Sequence, residues 1–169
     1  MASQPKMQVT SRRRIPYQPE RVLAQYFDLE HVSHVHPRTL GESRLITCQD
    51  SAVLFEQRWP RRFALGVRLR STLKLELVAP DTVRVRVVRG VLRGSQLSVA
   101  LEESDGMTLI TETYETPLDV PTWLEARLRQ WLLKKIDQVW DEDLRVGLPY
   151  GGWPGIPPTS APVAQSCSE

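Results

Sequence analysis

The chain has 169 residues, of which 41% are hydrophobic and 25% are charged. This composition is typical of a soluble globular protein with one hydrophobic core. The formal net charge is only +2, because 22 basic side chains are balanced by 20 acidic ones along the chain. Such a balance excludes the strong electrostatic footprint of a nucleic-acid-binding or membrane-surface protein, so we expect a neutral or amphipathic partner and no nucleic acid.

Targeting signals and cysteine content allow a prediction of the cellular location. No apolar run approaches the roughly 20 residues that cross a bilayer, and the first residues lack the apolar stretch of a signal peptide. The two cysteines, Cys48 and Cys167, lie far apart, and the second belongs to a polar C-terminal segment. We therefore expect no membrane span, no disulfide framework and a reducing, cytoplasmic location.

The domain organisation follows from composition along the chain. Residues 1–6 are expected to be a flexible N-terminus, and residues 7–148 one folded domain. Residues 149–169 are rich in proline, glycine and serine, which predicts a disordered tail.

The folded region begins with a strand and two short helices. The stretch MQVTSRRRIPY predicts the strand, and QPERVLAQYFDLEHVSH carries apolar residues near helical spacing. From Leu40 to Thr116 the apolar period becomes two, and turn signals at CQDS, APD and SDG divide this region into about six strands. Because these strands are separated by connections of hairpin length, we expect an antiparallel meander.

A long helix is predicted from Thr122 onward. Five apolar residues at steps of three or four form one stripe along it: Leu124, Leu128, Leu132, Ile136 and Val139. Its tryptophans, Trp123, Trp131 and Trp140, are expected to belong to the core. The order of elements predicts an α+β fold in which a curved antiparallel sheet grips the long helix and leaves a ligand cavity between them.

An acidic residue continues the apolar stripe. Asp143 lies four residues after Val139 and seven after Ile136, where a further leucine would be expected. An unpaired buried carboxylate costs several kcal/mol, so Asp143 requires a cation, a hydrogen-bond network or a water-filled cavity. The alternative is that the helix frays after Trp140 and that Asp143 is solvated.

All three histidines of the chain gather in one short segment, FDLEHVSHVHP. His31 and His36 are about 140° apart on a straight helix, but Pro37 disfavours helical torsions at His36 and lets it fold back toward His31. Two imidazoles and the Asp143 carboxylate would form a facial site suited to non-haem ferrous iron. Asp28, three residues before His31, is expected to orient an imidazole.

Other interpretations of the histidines remain open. His34 could replace His36 as a ligand or lie on the surface, and zinc accepts the same residue types. The histidines could also cap helical carbonyls and meet solvent without any metal.

The segment FDLEHVSHVHPRTLG resembles the iron-binding segment of the catalytic domain of Rieske-type aromatic-ring-hydroxylating oxygenases, especially the monooxygenase and demethylase branch. The pattern of that family is Asp-x2-His-x4-His, which Asp28, His31 and His36 match position for position. VWDEDLRV is similar to the late helix segment that supplies the carboxylate ligand of the family, which would fall on Asp143. The resemblance implies a bound Fe²⁺.

The resemblance also implies a fold. Those catalytic domains belong to the START-like helix-grip superfamily, also called SRPBCC, which includes Bet v 1-like proteins. Such a domain has a curved antiparallel sheet of about six to seven strands, two short helices after strand one and a long C-terminal helix over the sheet. We expect it over residues 7–148.

The chain departs from those oxygenases in one respect. No Rieske iron–sulfur cluster is expected here, because the cysteine pairs that hold it are missing from the sequence. Oxygenase or hydroxylase chemistry on a small hydrophobic or aromatic molecule would therefore need a separate ferredoxin-like or Rieske electron donor. The counterpart of Asp28 helps to carry electrons in that family, but here its role could shrink to orienting a histidine. The alternative function is a metal-free polyketide cyclase or aromatase, or a hydrophobic-ligand carrier, as in other branches of the superfamily.

Overall fold

Alternating apolar and polar residues build a seven-stranded antiparallel sheet in the computed structural model, which describes residues 6–49, 52–60 and 69–148. The strands are β1 (Met7–Ile15), β2 (Glu42–Gln49), β3 (Ala52–Arg58), β4 (Arg70–Ala79), β5 (Thr82–Gly90), β6 (Gln96–Ser104) and β7 (Met107–Thr116). Their order across the sheet is β1-β7-β6-β5-β4-β3-β2. The predicted meander of about six strands, β2 to β7, is confirmed. The first strand extends the sheet by pairing with β7.

Three helices accompany the sheet. α1 (Pro19–Phe27) and α2 (Leu29–Val35) follow β1, and α3 (Thr122–Val146) ends the described chain. A proline in the first turn of α1 starts that helix without the loss of a needed hydrogen bond. The predicted helix-grip arrangement is confirmed: a curved sheet, two short helices after the first strand and one long C-terminal helix.

The core lies between the inner face of the sheet and the helices. Its fully or nearly fully buried side chains alternate along the strands, and they include Val53, Leu75, Val83, Val99 and Ile110. Adjacent strands place these residues beside one another, as in the pairs Val53–Leu75 and Val83–Val99. Each such side chain contributes roughly 1.5–3 kcal/mol by leaving water. This packing fixes the wall against which the helices position the candidate site.

Gly41 makes the turn between α2 and β2, and its substitution should be strongly destabilising. Its φ is +93°, and an added Cβ would overlap the backbone oxygen of Arg58. We expect Gly41→Ala to lower the free energy of unfolding by more than about 3 kcal/mol in a urea titration. Gly106 provides the control, because its φ is +73° but nothing lies within 4 Å of an added Cβ. Gly106→Ala should cost about 1–2 kcal/mol, and an equal loss in both variants would contradict the steric argument.

Several expectations concern the ends of the chain and its cysteines. The predicted tail, 149–169, and residues 1–5 lie outside the described residues. Cys48 lies in β2, whereas Cys167 belongs to the tail, so the expectation about the cysteines and the compartment stays a prediction. Within the described ranges, no helix is long and apolar enough to span a membrane.

Candidate functional site

A cavity of about 310 Å³ lies between the inner face of the sheet and α3. Most of its wall is apolar, with contributions from strands β3 to β7 and from the helices. Its aliphatic lining includes Leu73, Leu75, Val85, Val87, Leu132, Ile136 and Val139. The last three belong to the predicted stripe of α3, so the stripe covers the cavity as well as the core.

Aromatic side chains form a second part of the cavity wall. Trp59, Trp131 and Trp140 line the cavity. Trp140 is 3% exposed, as expected for a core residue, whereas Trp123 is 73% exposed. The prediction that Trp123 belongs to the core is wrong. Trp123 lies about 100° around the helix from Leu124 on the apolar stripe, and Leu124 is itself 36% exposed, so this part of α3 is not buried in the core. Trp131 faces the cavity.

Asp143 lies on the buried face of α3. The helix continues to Val146, and Asp143 is only 3% exposed. Its Oδ1 accepts a hydrogen bond from the side-chain amide of Gln25 in α1 at 3.0 Å. The alternative of a frayed helix with a solvated Asp143 is therefore wrong, and the carboxylate lines the cavity.

Asp28 separates α1 from α2 and caps the second helix. Its carboxylate Oδ1 accepts the backbone N–H groups of Glu30 and His31, each at 3.2 Å, as an acidic N-cap does. Its backbone oxygen lies 2.5 Å from Nδ1 of His31. Because a carbonyl only accepts, His31 donates through Nδ1–H. Asp28 thus orients His31 through its backbone oxygen, while its carboxylate satisfies the helix terminus.

His36 follows the last residue of α2 and is fully buried. The helix ends before His36, as Pro37 predicts, and the His36 carbonyl then accepts the backbone N–H groups of three residues beyond the proline: Thr39, Leu40 and Gly41. On the ring, Nδ1 lies 2.7 Å from Glu142 Oε2, and Nε2 lies 2.9 Å from Asp143 Oδ1. This imidazole therefore lies between two carboxylates of α3.

The structure brings His31, His36 and Asp143 together. One potential ligand atom from each lies within 4.8 Å of the other two, and all three residues are buried. Nε2 of His31 is 3.6 Å from Asp143 Oδ1. His34 is exposed, and its Nδ1 lies 2.9 Å from the backbone oxygen of Glu30. Between the two histidines that sequence alone could not separate, the geometry places His36 in the cluster and His34 outside it.

The orientation of the imidazoles leaves acceptors facing one another. Each Nδ1 is directed at an oxygen that accepts, so a neutral ring carries its lone pair on Nε2. Both Nε2 atoms then point toward Asp143 Oδ1, which is also an acceptor. A proton on the His36 ring would relieve this arrangement, and so would a metal ion bound by all three groups.

The electrostatics differ between the two histidines. Burial lowers the pKa of His31. Burial also lowers the pKa of His36, but hydrogen bonds to Asp143 and Glu142 outweigh it, so the pKa of His36 is raised. The pKa of Glu142 is lowered, since its hydrogen bonds to His36, Thr39 and Gln138 outweigh its burial. The metal-free site therefore favours a charged His36 beside an ionised Glu142.

Two further acids belong to the site although sequence reasoning did not select them. Glu142 lies one residue before Asp143 and therefore off the apolar stripe, and no local pattern pairs it with His36. Glu112 in β7 lines the cavity and is 6% exposed. Period-two alternation through the buried residues Thr108 and Ile110 could have placed Glu112 on the inner face.

The pKa of His36 predicts a pH dependence of folding in the metal-free protein. Because the folded pKa lies above the ordinary value of 6.5, the stabilisation is complete below about pH 6.5 and is lost as pH rises through the folded pKa. We expect the free energy of unfolding of chelator-treated protein to fall as the pH rises above about 6.5. The fall should be absent in His36→Gln and should persist in His34→Gln. An equal fall in all three proteins would contradict a charged His36.

Comparison with known proteins supports the fold and leaves the chemistry open. No protein-family model matches the sequence, and no curated protein matches it significantly. Solved structures do match. One from Thermus thermophilus has a TM-score of 0.67 and 16% identity over 80% of this chain and 93% of that chain. A START superfamily protein from Mycobacterium smegmatis has a TM-score of 0.65 and 11% identity, covering 79% of this chain and 94% of its own.

An enzyme of known class shares the same fold. The Zhui aromatase/cyclase from Streptomyces sp. R1128 has a TM-score of 0.61 and 10% identity, over 82% of this chain and 89% of that chain. These structures add no support to the resemblance to Rieske oxygenases, which rests on the histidine segment and the end of α3 alone. The chain has the START-like, Bet v 1-like helix-grip fold.

Proposed function

We propose that this protein binds a small hydrophobic or aromatic molecule in the cavity between its sheet and α3. The observation that carries the proposal is the cavity itself, which measures about 310 Å³ and has a largely apolar and aromatic wall. Its volume lies at the lower end of the roughly 300–1,000 Å³ of small-molecule sites. The fold shared with a START superfamily protein and an aromatase/cyclase supports the same role.

A neutral fluorescent probe tests this function directly. N-phenylnaphthylamine gains fluorescence in an apolar site, so we expect saturable binding to the folded protein with one site per chain. A panel of polycyclic aromatic compounds should displace the probe. Linear, non-saturable fluorescence without displacement would count against a defined ligand site.

The second candidate function is an enzyme with a mononuclear metal centre beside the cavity. In that case the bound molecule would be the substrate. The supporting observation is the convergence of His31, His36 and Asp143 with acceptors facing one another. Two imidazoles and a carboxylate suit Fe²⁺, and the oriented Nδ1–H groups leave Nε2 available in both rings. The match of Asp28, His31 and His36 to the oxygenase pattern supports the same assignment.

Different residues of this chain would orient the metal ligands and contact the substrate. Asp28, through its backbone oxygen, and Glu142 would keep the imidazoles oriented, while His31 and Asp143 also line the cavity where a substrate would lie. A ferrous ion held there would supply oxygen activation, with electrons from a separate ferredoxin-like or Rieske protein. The apolar wall would exclude bulk water from the substrate.

Metal content decides between this enzyme and a metal-free cyclase or carrier. Protein purified anaerobically with Fe²⁺ should contain about one iron per chain by mass spectrometry if the centre forms. Probe binding with no metal would favour the carrier or cyclase function, in which a charged His36 supplies the cation that the carboxylates require.

A further inference from the structure

Glu112 is a buried carboxylate in the wall of the cavity. Its Oε1 accepts the hydroxyl hydrogen bond of Tyr26 at 2.7 Å, and its Oε2 accepts the indole N–H of Trp140 at 3.1 Å. Each oxygen keeps a second lone pair, since a carboxylate offers about four acceptor positions. Two rigid aromatic donors therefore hold the carboxylate in one place and leave it able to accept from a ligand.

The structure provides Glu112 with donors but with no ion pair among the described residues. The guanidinium of Arg13 contacts Asp137 and Asp141 on α3 instead. Lys135 lines the cavity, yet its ammonium donates to Gln138 at 3.0 Å. Burial raises the pKa of Glu112, and the hydrogen bonds from Tyr26 and Trp140 and the charge of Arg13 do not offset it. Among the described residues, the carboxylate has no counter-ion in direct contact. A cation in the cavity would supply that counter-ion.

A second carboxylate belongs to the same wall. Successive residues of α1 hold the two acids: Gln25 donates to Asp143 at 3.0 Å, and Tyr26 donates to Glu112. Both acids line the cavity together with aromatic side chains, whose ring faces attract cations. One side of an otherwise apolar cavity is therefore acidic and aromatic.

We propose that the ligand is a hydrophobic amine, whose protonated nitrogen donates to Glu112 while its apolar body fills the rest of the cavity. This inference rests on the proposed ligand-binding function and specifies the class of ligand. Anionic amphiphiles such as fatty acids are disfavoured at this end of the cavity, since their carboxylate would approach Glu112, which has no ion pair among the described residues.

Four probes with one naphthalene ring system test the inference in chelator-treated protein. Naphthylmethylamine carries a cation, naphthalenemethanol a neutral donor, methylnaphthalene no polar group and naphthoate an anion. Calorimetric titration should give the amine an affinity about 10- to 100-fold above that of methylnaphthalene, as a charge-assisted hydrogen bond provides. Naphthoate should bind more weakly than methylnaphthalene.

Variants identify the residue responsible. Glu112→Gln should remove the preference for the amine and leave the affinity for methylnaphthalene within about twofold, which also shows that the cavity is still folded. Glu102→Gln is the matched control, since Glu102 is exposed on β6, and it should keep the preference. If methylnaphthalene binds but the amine gains nothing, or the preference survives Glu112→Gln, the inference is overturned and the binding function stands. If none of the four probes binds, the binding function itself is overturned.

Discussion

Asp143→Ala should abolish stoichiometric uptake of ferrous iron while leaving the protein folded. Asp143 contributes the only carboxylate of the three-residue cluster in the described part of the chain, and its Oδ1 is the atom toward which both Nε2 nitrogens point. Two neutral imidazoles alone provide neither the charge nor the third ligand of a facial site. His31→Ala and His36→Ala should have the same effect. The measurement is iron per chain after anaerobic loading and desalting.

Two variants make the loss of iron interpretable. His34→Ala should retain full iron content, because His34 is exposed and outside the cluster. Glu142→Gln should weaken iron binding about 10- to 100-fold without abolishing it, since Glu142 acts by orienting His36. Near-ultraviolet circular dichroism of each variant reports whether the fold is intact. Unchanged iron in Asp143→Ala would contradict the ligand assignment.

Val85→Trp should block the cavity and lower the affinity for N-phenylnaphthylamine at least tenfold. Val85 lines the cavity and lies on the same face of β5 as the buried residues Val83 and Val87, so an indole at this position would enter the space that a ligand would occupy. The loss corresponds to at least about 1.4 kcal/mol of binding free energy. Overpacking is expected to lower the free energy of unfolding by roughly 1–3 kcal/mol, which leaves the protein folded.

Val88 provides the matched control for this change. It lies on the same strand, is not part of the cavity wall and is 40% exposed. Val88→Trp introduces the same side chain without entering the cavity, so probe affinity should stay within about twofold of the parent. Equal losses of affinity in both variants would indicate a general effect on the sheet, and no loss in Val85→Trp would place the probe elsewhere.

The architecture and one part of the site could be predicted from local sequence patterns. Strand and helix periods are local properties, so alternation from Leu40 to Thr116 and the stripe of α3 sufficed for the helix-grip fold. The same stripe identified Asp143 as a buried acid, because four further residues return to the same face of a helix. The apolar stripe did not predict that Trp123 is exposed, because helical periodicity does not show which part of the helix the sheet covers.

The membership of the polar cluster depends on contacts that exist only in the assembled fold. The sequence predicts His36 as the ligand and leaves His34 as an alternative, and the structure places the ring of His36 against the end of α3 after the turn at Pro37. Glu142 lies off the apolar stripe, yet it contacts His36 because the end of α2 approaches the flank of α3. Contacts between elements remote in sequence have no local period, which is why these partners, and the donors that hold Glu112, could not be read from the chain alone.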